Sequence, residues 1–179
     1  MKILVIPGSL RQGSFNKSLA RHILKIAPKD IDFEMFLLND IPMFNADLEQ
    51  KLPHIINELL SKIEEVDGLI ISTPEYNNML PAPVMNLFHW LSREYSRSLV
   101  RNKPLGIMGV SDGSFGTVRA QNELLLMATI VGMKTNAIYR MPVPMALEIF
   151  DKDGNVTDMK MLKRIEEFLK IYIDWVKST

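Results

Sequence analysis

Ile3-Leu4-Val5-Ile6-Pro7-Gly8-Ser9-Leu10-Arg11-Gln12-Gly13-Ser14-Phe15-Asn16 reads as a strand, a turn with two glycines and the start of a helix. The first four residues are apolar without alternation, as in a strand covered on both faces. Four further short apolar runs follow: Phe33 to Leu38, Gly68 to Ser72, Leu105 to Val110 and Thr135 to Tyr139. Between them apolar residues recur at helical spacing, as in Leu19, Ile23 and Ile26, then Ile56, Leu59, Leu60 and Ile63, then Val84, Leu87, Phe88 and Leu91. A fourth helix should carry Leu124, Met127, Ala128 and Val131 and end at Gly132, and a last one Leu162, Ile165, Leu169, Tyr172 and Val176. Strand and helix alternate five times, which predicts an α/β fold: a five-stranded parallel sheet with helices on both faces. Neither a repeat nor a linker interrupts the pattern, so residues 1–179 are expected to form a single domain.

Composition narrows the function classes. Lys plus Arg equals Asp plus Glu at 21 each, so the basic excess expected of a nucleic-acid binder is missing. The chain has no cysteine, which excludes disulfides, thiolate catalysis and Cys-based metal sites. The N-terminal apolar run is too short for a signal peptide, and no stretch approaches the ~20 apolar residues that span a bilayer. The expectation is a cytoplasmic protein with neither a nucleic-acid nor a membrane partner.

In doubly wound sheets ligands bind beyond the carboxyl ends of the strands, so the loops after the first, third and fourth strands carry the chemistry. In the first, Ser9, Ser14 and Asn16 offer hydroxyl and amide donors and Arg11 a cation. The helix behind them adds free N–H groups and a positive dipole end. This set suits a terminal phosphate. Helix capping alone would explain one such residue, not four donors around two glycines. The loop is not an ATP-binding P-loop, since Ser14 and Phe15 stand where that motif needs Lys and Ser/Thr, nor does it carry the three-glycine dinucleotide fingerprint. The second loop, Pro74-Glu75-Tyr76-Asn77, offers a restrained backbone, an aromatic wall and an amide fork. A flat heteroaromatic ring would fit there, though an ordinary turn before a helix begun at Pro81 or Pro83 accounts for the same residues equally well.

The third loop, Gly109-Val110-Ser111-Asp112-Gly113, holds a G-x-S-x-G string of the kind that presents a hydrolase nucleophile. That chemistry takes a histidine later in the chain, and His22, His54 and His89 all precede Ser111. A loop whose backbone approaches a ligand closely is the better reading. The histidines lack metal-ligand spacing, and Asp151-Lys152-Asp153-Gly154-Asn155 fails as a calcium loop because Val156 and Leu162 occupy the positions that need Gly and Glu. No metal site is expected. Arg93, Arg97, Arg101 and Lys103 either follow a helix C-terminus as solvated charge or meet a phosphate or a partner.

With these residues in view, Gly8 to Asn16 together with Pro74-Glu75-Tyr76-Asn77 resembles the NAD(P)H-dependent FMN reductases, the flavodoxin-like group of chromate, quinone and azo-dye reductases. Ser111 through Val118-Arg119-Ala120-Gln121 to Gly132 is also similar. The resemblance implies the sheet order 2-1-3-4-5 and FMN as cofactor. Ser9, Arg11, Ser14, Phe15 and Asn16 would hold its phosphate, Pro74, Glu75, Tyr76 and Asn77 would contact the isoalloxazine ring, and Ser111 and Gly113 would line the ring's other side. It further implies NADPH or NADH as electron donor, a small acceptor (quinone, free flavin, azo compound or metal oxyanion), and no catalytic side chain, because the flavin carries the chemistry. A homodimer or homotetramer follows, with the helix after Asn77 at the interface and Trp90 near a neighbouring subunit's flavin. The chain departs from the family pattern at Asn78, where Gly is common, at Met85 before Asn86, and at Thr117. An FMN-binding electron carrier or sensor without reductase activity is the competing reading, although flavodoxins are generally acidic and this chain is neutral.

Overall fold

A computed structural model describes all of residues 1–179. The elements run β1 (Lys2–Pro7), α1 (Phe15–Ile26), β2 (Asp32–Met35), a 3-10 turn (Ala46–Gln50), α2 (His54–Glu65), β3 (Gly68–Ser72), α3 (Ala82–Leu91), α4 (Glu94–Val100), β4 (Pro104–Val110), α5 (Val118–Ile130), β5 (Lys134–Thr135), β6 (Met141–Val143), α6 (Ala146–Ile149) and α7 (Met159–Lys177). All strand pairings are parallel, in the order β2-β1-β3-β4-β5, with β6 also against β4. This is the flavodoxin-like arrangement, with the order reversing between β1 and β3.

Alternation along the buried strands sorts the core into two layers. Leu4 and Ile6 of β1, with Leu69, Ile71, Leu105 and Ile107, pack under α2, α3 and α5. Ile3 and Val5, with Ile70, Met108 and Val110, pack under α1 and α7. Each fully buried Leu or Ile contributes roughly 1.5–3 kcal/mol, so the sheet is held from both faces. Gly68 and Gly106 make room for the Tyr172 ring of α7, since a Cβ at Gly106 would lie 2.9 Å from it. The Tyr172 hydroxyl then donates to Leu69 O at 2.9 Å and Pro104 O at 3.3 Å. Burial pushes that phenol well above its usual pKa.

The fifth strand differs from the expectation of Thr135 to Tyr139. It is two short pieces, Lys134–Thr135 beside Pro104–Leu105 and Met141–Val143 beside Met108–Val110. Between them the Asn136 side chain accepts from the N–H groups of Ile138 (3.0 Å) and Tyr139 (3.4 Å), a local turn that displaces the ladder. Ile138 therefore points outward, 83% exposed. The second strand also stops earlier than the apolar run, at Met35, although Phe36 and Leu38 remain buried.

Trp90 corrects a second expectation. Its side chain is fully buried in its own subunit, Nε1 donates to Pro42 O at 2.9 Å and the ring meets Phe44 edge-on, so it cannot reach a neighbour's flavin. The basic cluster resolves toward helix ends: Arg97 donates to Ile130 O at the end of α5, and Lys103 to Val66 O just beyond α2. Both lie where strands begin, at the opposite end of the sheet from the loops after β1, β3 and β4. Asp151–Asn155 forms a turn with Gly154 at φ 81°.

Candidate functional site

The loops after β1, β3 and β4 converge on one cleft of about 520 Å³, within the usual range for small-molecule sites. Every residue singled out from sequence lines it: Ser9, Arg11, Ser14, Phe15, Asn16, Pro74, Glu75, Tyr76, Asn77, Ser111 and Gly113. Asn78, Asp112, Phe115 and Arg119, to which the sequence assigned no binding role, join them.

The floor is the β1–α1 loop. Gly8 donates to Ser72 O at 2.8 Å, and a Cβ on it would collide with Val84 at 2.3 Å, so α3 itself requires the glycine. Beyond it, no main-chain N–H from Ser9 through Asn16 has a protein acceptor. That run of donors ends at the α1 N-terminus, where Ser14 is the N-cap and its Oγ accepts from Lys17 N. Lys17, itself buried, donates through Nζ to Leu10 O and to Asn39 Oδ1, which holds the loop from below. Burial and the nearby Arg21 lower the Lys17 pKa. Arg11 makes no ion pair and projects into the cleft.

Asn16 does something the sequence did not reveal. Its Nδ2 donates to Val110 O at 2.9 Å, while its Oδ1 accepts from Val110 N at 3.0 Å and from Ser72 Oγ at 2.9 Å. The carboxamide thus ties α1 to the ends of β3 and β4, and of the Asn16 donors only the main-chain N–H is left without a protein partner. Glu75 is committed in the same way. Its Oε2 accepts from the N–H groups of Arg119 (2.9 Å) and Ala120 (3.0 Å), capping α5 from a loop 44 residues earlier.

The second loop closes as a tight turn. Tyr76 and Met79 exchange both main-chain hydrogen bonds, with Asn77 at φ 49° and Asn78 at φ 62° between them. Two successive left-handed residues define a type I′ turn, where Asn is tolerated nearly as well as Gly, so Asn78 preserves the loop without the glycine. The Tyr76 hydroxyl sits 3.3 Å from Ser9 Oγ, linking the second loop to the first. Across the cleft, the Ser111 hydroxyl bonds to Gly116 O within its own loop and has no histidine near it, which removes the hydrolase reading. The N–H groups of Asp112, Gly113, Ser114 and Phe115 lack protein acceptors, and these residues line the same cleft.

The donor set fits FMN. A row of unpaired amides at a helix N-terminus, with an unpaired Arg11, suits a phosphate dianion, and a slot between Tyr76 and a second row of free amides suits a ring with acceptors along its edge.

The comparisons agree. A model of the NADPH-dependent FMN reductase family matches residues 1–144. A 2-hydroxy-1,4-benzoquinone reductase of a Burkholderia species is 32% identical over 178 residues, covering 99% of this chain and 97% of the relative. An NAD(P)H-dependent FMN reductase of Pseudomonas aeruginosa is 31% identical, covering 99% and 96%. Among solved structures, the flavoenzyme NAD(P)H:(acceptor) oxidoreductase FerB of Paracoccus denitrificans superimposes with a TM-score of 0.90 at 30% identity, covering 99% of this chain and 97% of that one. An archaeal flavodoxin at 14% identity and a TM-score of 0.60 shares the fold. The chain belongs to the NADPH-dependent FMN reductase family, and is an oxidoreductase that uses FMN, a nicotinamide electron donor and a small-molecule acceptor.

Proposed function

We propose that residues 1–179 form one FMN-binding domain that reduces quinones with NAD(P)H in the cleft between the β1, β3 and β4 loops. Two of the relatives carry the support for a quinone: one is named for reducing 2-hydroxy-1,4-benzoquinone, and a Pseudomonas putida protein 27% identical over 98% of this chain is named quinone reductase.

Bound FMN would supply the two-electron redox chemistry between NAD(P)H and the acceptor. The chain's part is placement. Main-chain N–H groups of Ser9 to Asn16, the Ser9 and Ser14 hydroxyls and Arg11 hold the phosphate. Pro74, Glu75, Tyr76 and Asn77 support one side of the ring, with Glu75 acting through the position it gives its backbone. Ser111 and Gly113 line the other side. Asn16 and Glu75 keep the three loops at fixed separation, so the ring slot is preorganised before any ligand enters. No side chain is assigned as general acid or base, and the proton that accompanies quinone reduction comes from solvent.

One observation carries the reading: a continuous run of unpaired amides at the α1 N-terminus opens into the same cleft as both ring-facing loops. Anaerobic absorbance spectra before and after NADPH test it. Flavin bands that bleach on adding NADPH and return on adding a quinone are expected. Bands that persist with both NADPH and NADH would make the protein a carrier.

The working form we propose is a cytoplasmic homodimer or homotetramer. Exposed apolar side chains on α5, Leu126 and Ile130, support self-association, and no helix is long and apolar enough to cross a membrane. Sedimentation analysis would fix the number of subunits.

A further inference from the structure

At the mouth of the cleft the Arg119 side chain is about half exposed and held in place. Its Nη1 donates to Asn78 Oδ1 at 2.8 Å and lies 3.7 Å from Glu75 Oε1, and its guanidinium plane sits over the Phe115 ring, 5.0 Å from the centroid. Neither Nε nor Nη2 donates to any protein group. A guanidinium fixed along one edge and free along the other is a preorganised fork for an anionic oxygen. The Glu75 carboxylate meets only the Nη1 side, through Oε1, while its Oε2 accepts from the two N–H groups at the α5 N-terminus, so the Nε and Nη2 edge has no acidic partner. The other charges in the cleft are Asp112 on the third loop and Arg11 on the first. Phe115 (65% exposed) and Tyr76 (47% exposed) flank the opening and offer flat apolar surface.

We propose that Arg119 selects acceptors that are planar and carry an ionised oxygen beside the reducible carbonyl, as a hydroxyquinone does at neutral pH. The inference rests on the quinone reductase reading and names the acceptor class that site prefers. The free guanidinium edge receives the anionic oxygen while the ring lies along Phe115 and Tyr76. The overall reaction balances as quinone plus NAD(P)H plus one proton giving hydroquinone plus NAD(P)+. Arg119 neither donates nor accepts that proton. It is a specificity-determining residue.

The test compares the holoenzyme with its R119Q variant, which removes the charge and keeps a polar side chain. The readout is the ratio of kcat/KM for 2-hydroxy-1,4-benzoquinone to kcat/KM for neutral 1,4-benzoquinone, at a pH where the first is ionised and at one where it is protonated. Losing a half-exposed charge-assisted hydrogen bond should lower the ratio about tenfold at the higher pH and leave it unchanged at the lower. Calorimetric titration with redox-inert benzoate and benzamide gives a reading independent of turnover, and R119Q should lose the wild type's preference for benzoate. An unchanged ratio with an unchanged benzoate preference would overturn the proposal. So would a loss confined to kcat/KM for NAD(P)H, which would make Arg119 a receptor for the dinucleotide. A wild-type protein that holds no FMN, or whose flavin NAD(P)H does not bleach, would instead refute the underlying quinone reductase reading.

Discussion

Replacing Asn16 with Ala should destabilise the protein out of proportion to the atoms removed. Asn16 is 3% exposed and its carboxamide makes three hydrogen bonds, two to the Val110 main chain and one to Ser72 Oγ. Truncation leaves the Val110 N–H and C=O buried without partners, while the Ser72 hydroxyl is free to rotate. An orphaned buried polar group costs roughly 1–3 kcal/mol, so the two main-chain groups set an expected loss of about 3–4 kcal/mol. At roughly 2–4 °C per kcal/mol for a chain of this size, the melting temperature should fall by about 10 °C. Urea unfolding of the FMN-free protein is the assay, because ligand binding would otherwise add its own stabilisation. The Asp variant keeps both acceptors but loses the donor to Val110 O, and should fall between wild type and Ala. A loss below about 1 kcal/mol for Asn16→Ala would refute the claim that this side chain joins α1 to β3 and β4.

Three other outcomes follow from the same geometry. Arg11→Ala should weaken FMN binding roughly 10- to 100-fold, the worth of a charge-assisted hydrogen bond, while leaving the rate of anaerobic reduction by NADPH within about twofold in the fraction that retains flavin; equilibrium dialysis and stopped-flow absorbance separate the two. Asn78→Gly should fold normally, whereas Asn78→Val, which cannot adopt φ 62° cheaply, should lose about 1–2 kcal/mol in urea titration. Tyr172→Phe should cost about 1–2 kcal/mol near neutral pH through the lost bonds to Leu69 O and Pro104 O. Because burial raises the Tyr172 pKa, the folded protein retains a proton that the unfolded chain releases near pH ~10, so stability falls as pH rises past that value. Thermal melts between pH 8 and 11, by prediction, show a steeper alkaline decline for wild type than for Tyr172→Phe.

Apolar runs and helical spacing made β1, β3, β4 and the five long helices legible, because each buries a face whose period is written in consecutive residues. The broken fifth strand was not, since the competition is local and polar: the Asn136 side chain takes the N–H groups of Ile138 and Tyr139 that the ladder would have used. All eleven residues expected at the site line one cleft, because the parallel topology brings those loops to the same end of the sheet. What each side chain does there was less visible. Asn16 looked like a phosphate donor and Glu75 like a ring contact, yet both carboxyl-derived groups serve main-chain partners 94 and 44 residues away. Arg119 was overlooked for a related reason: its partners Asn78, Glu75 and Phe115 assemble only when the second and third loops meet. Trp90 misled because an indole on a helix expected at an interface resembles a docking residue until its Nε1 is seen bonded to Pro42 O inside its own chain.

The claim that the run of amides from Ser9 to Asn16 receives a phosphate is tested most directly by titrating FMN-free protein with FMN and with riboflavin, which differ only by that group. FMN should bind at least about a hundredfold more tightly, since several amide donors, a helix N-terminus and Arg11 all act on the phosphate. Equal affinity for the two flavins would contradict the assignment of this loop.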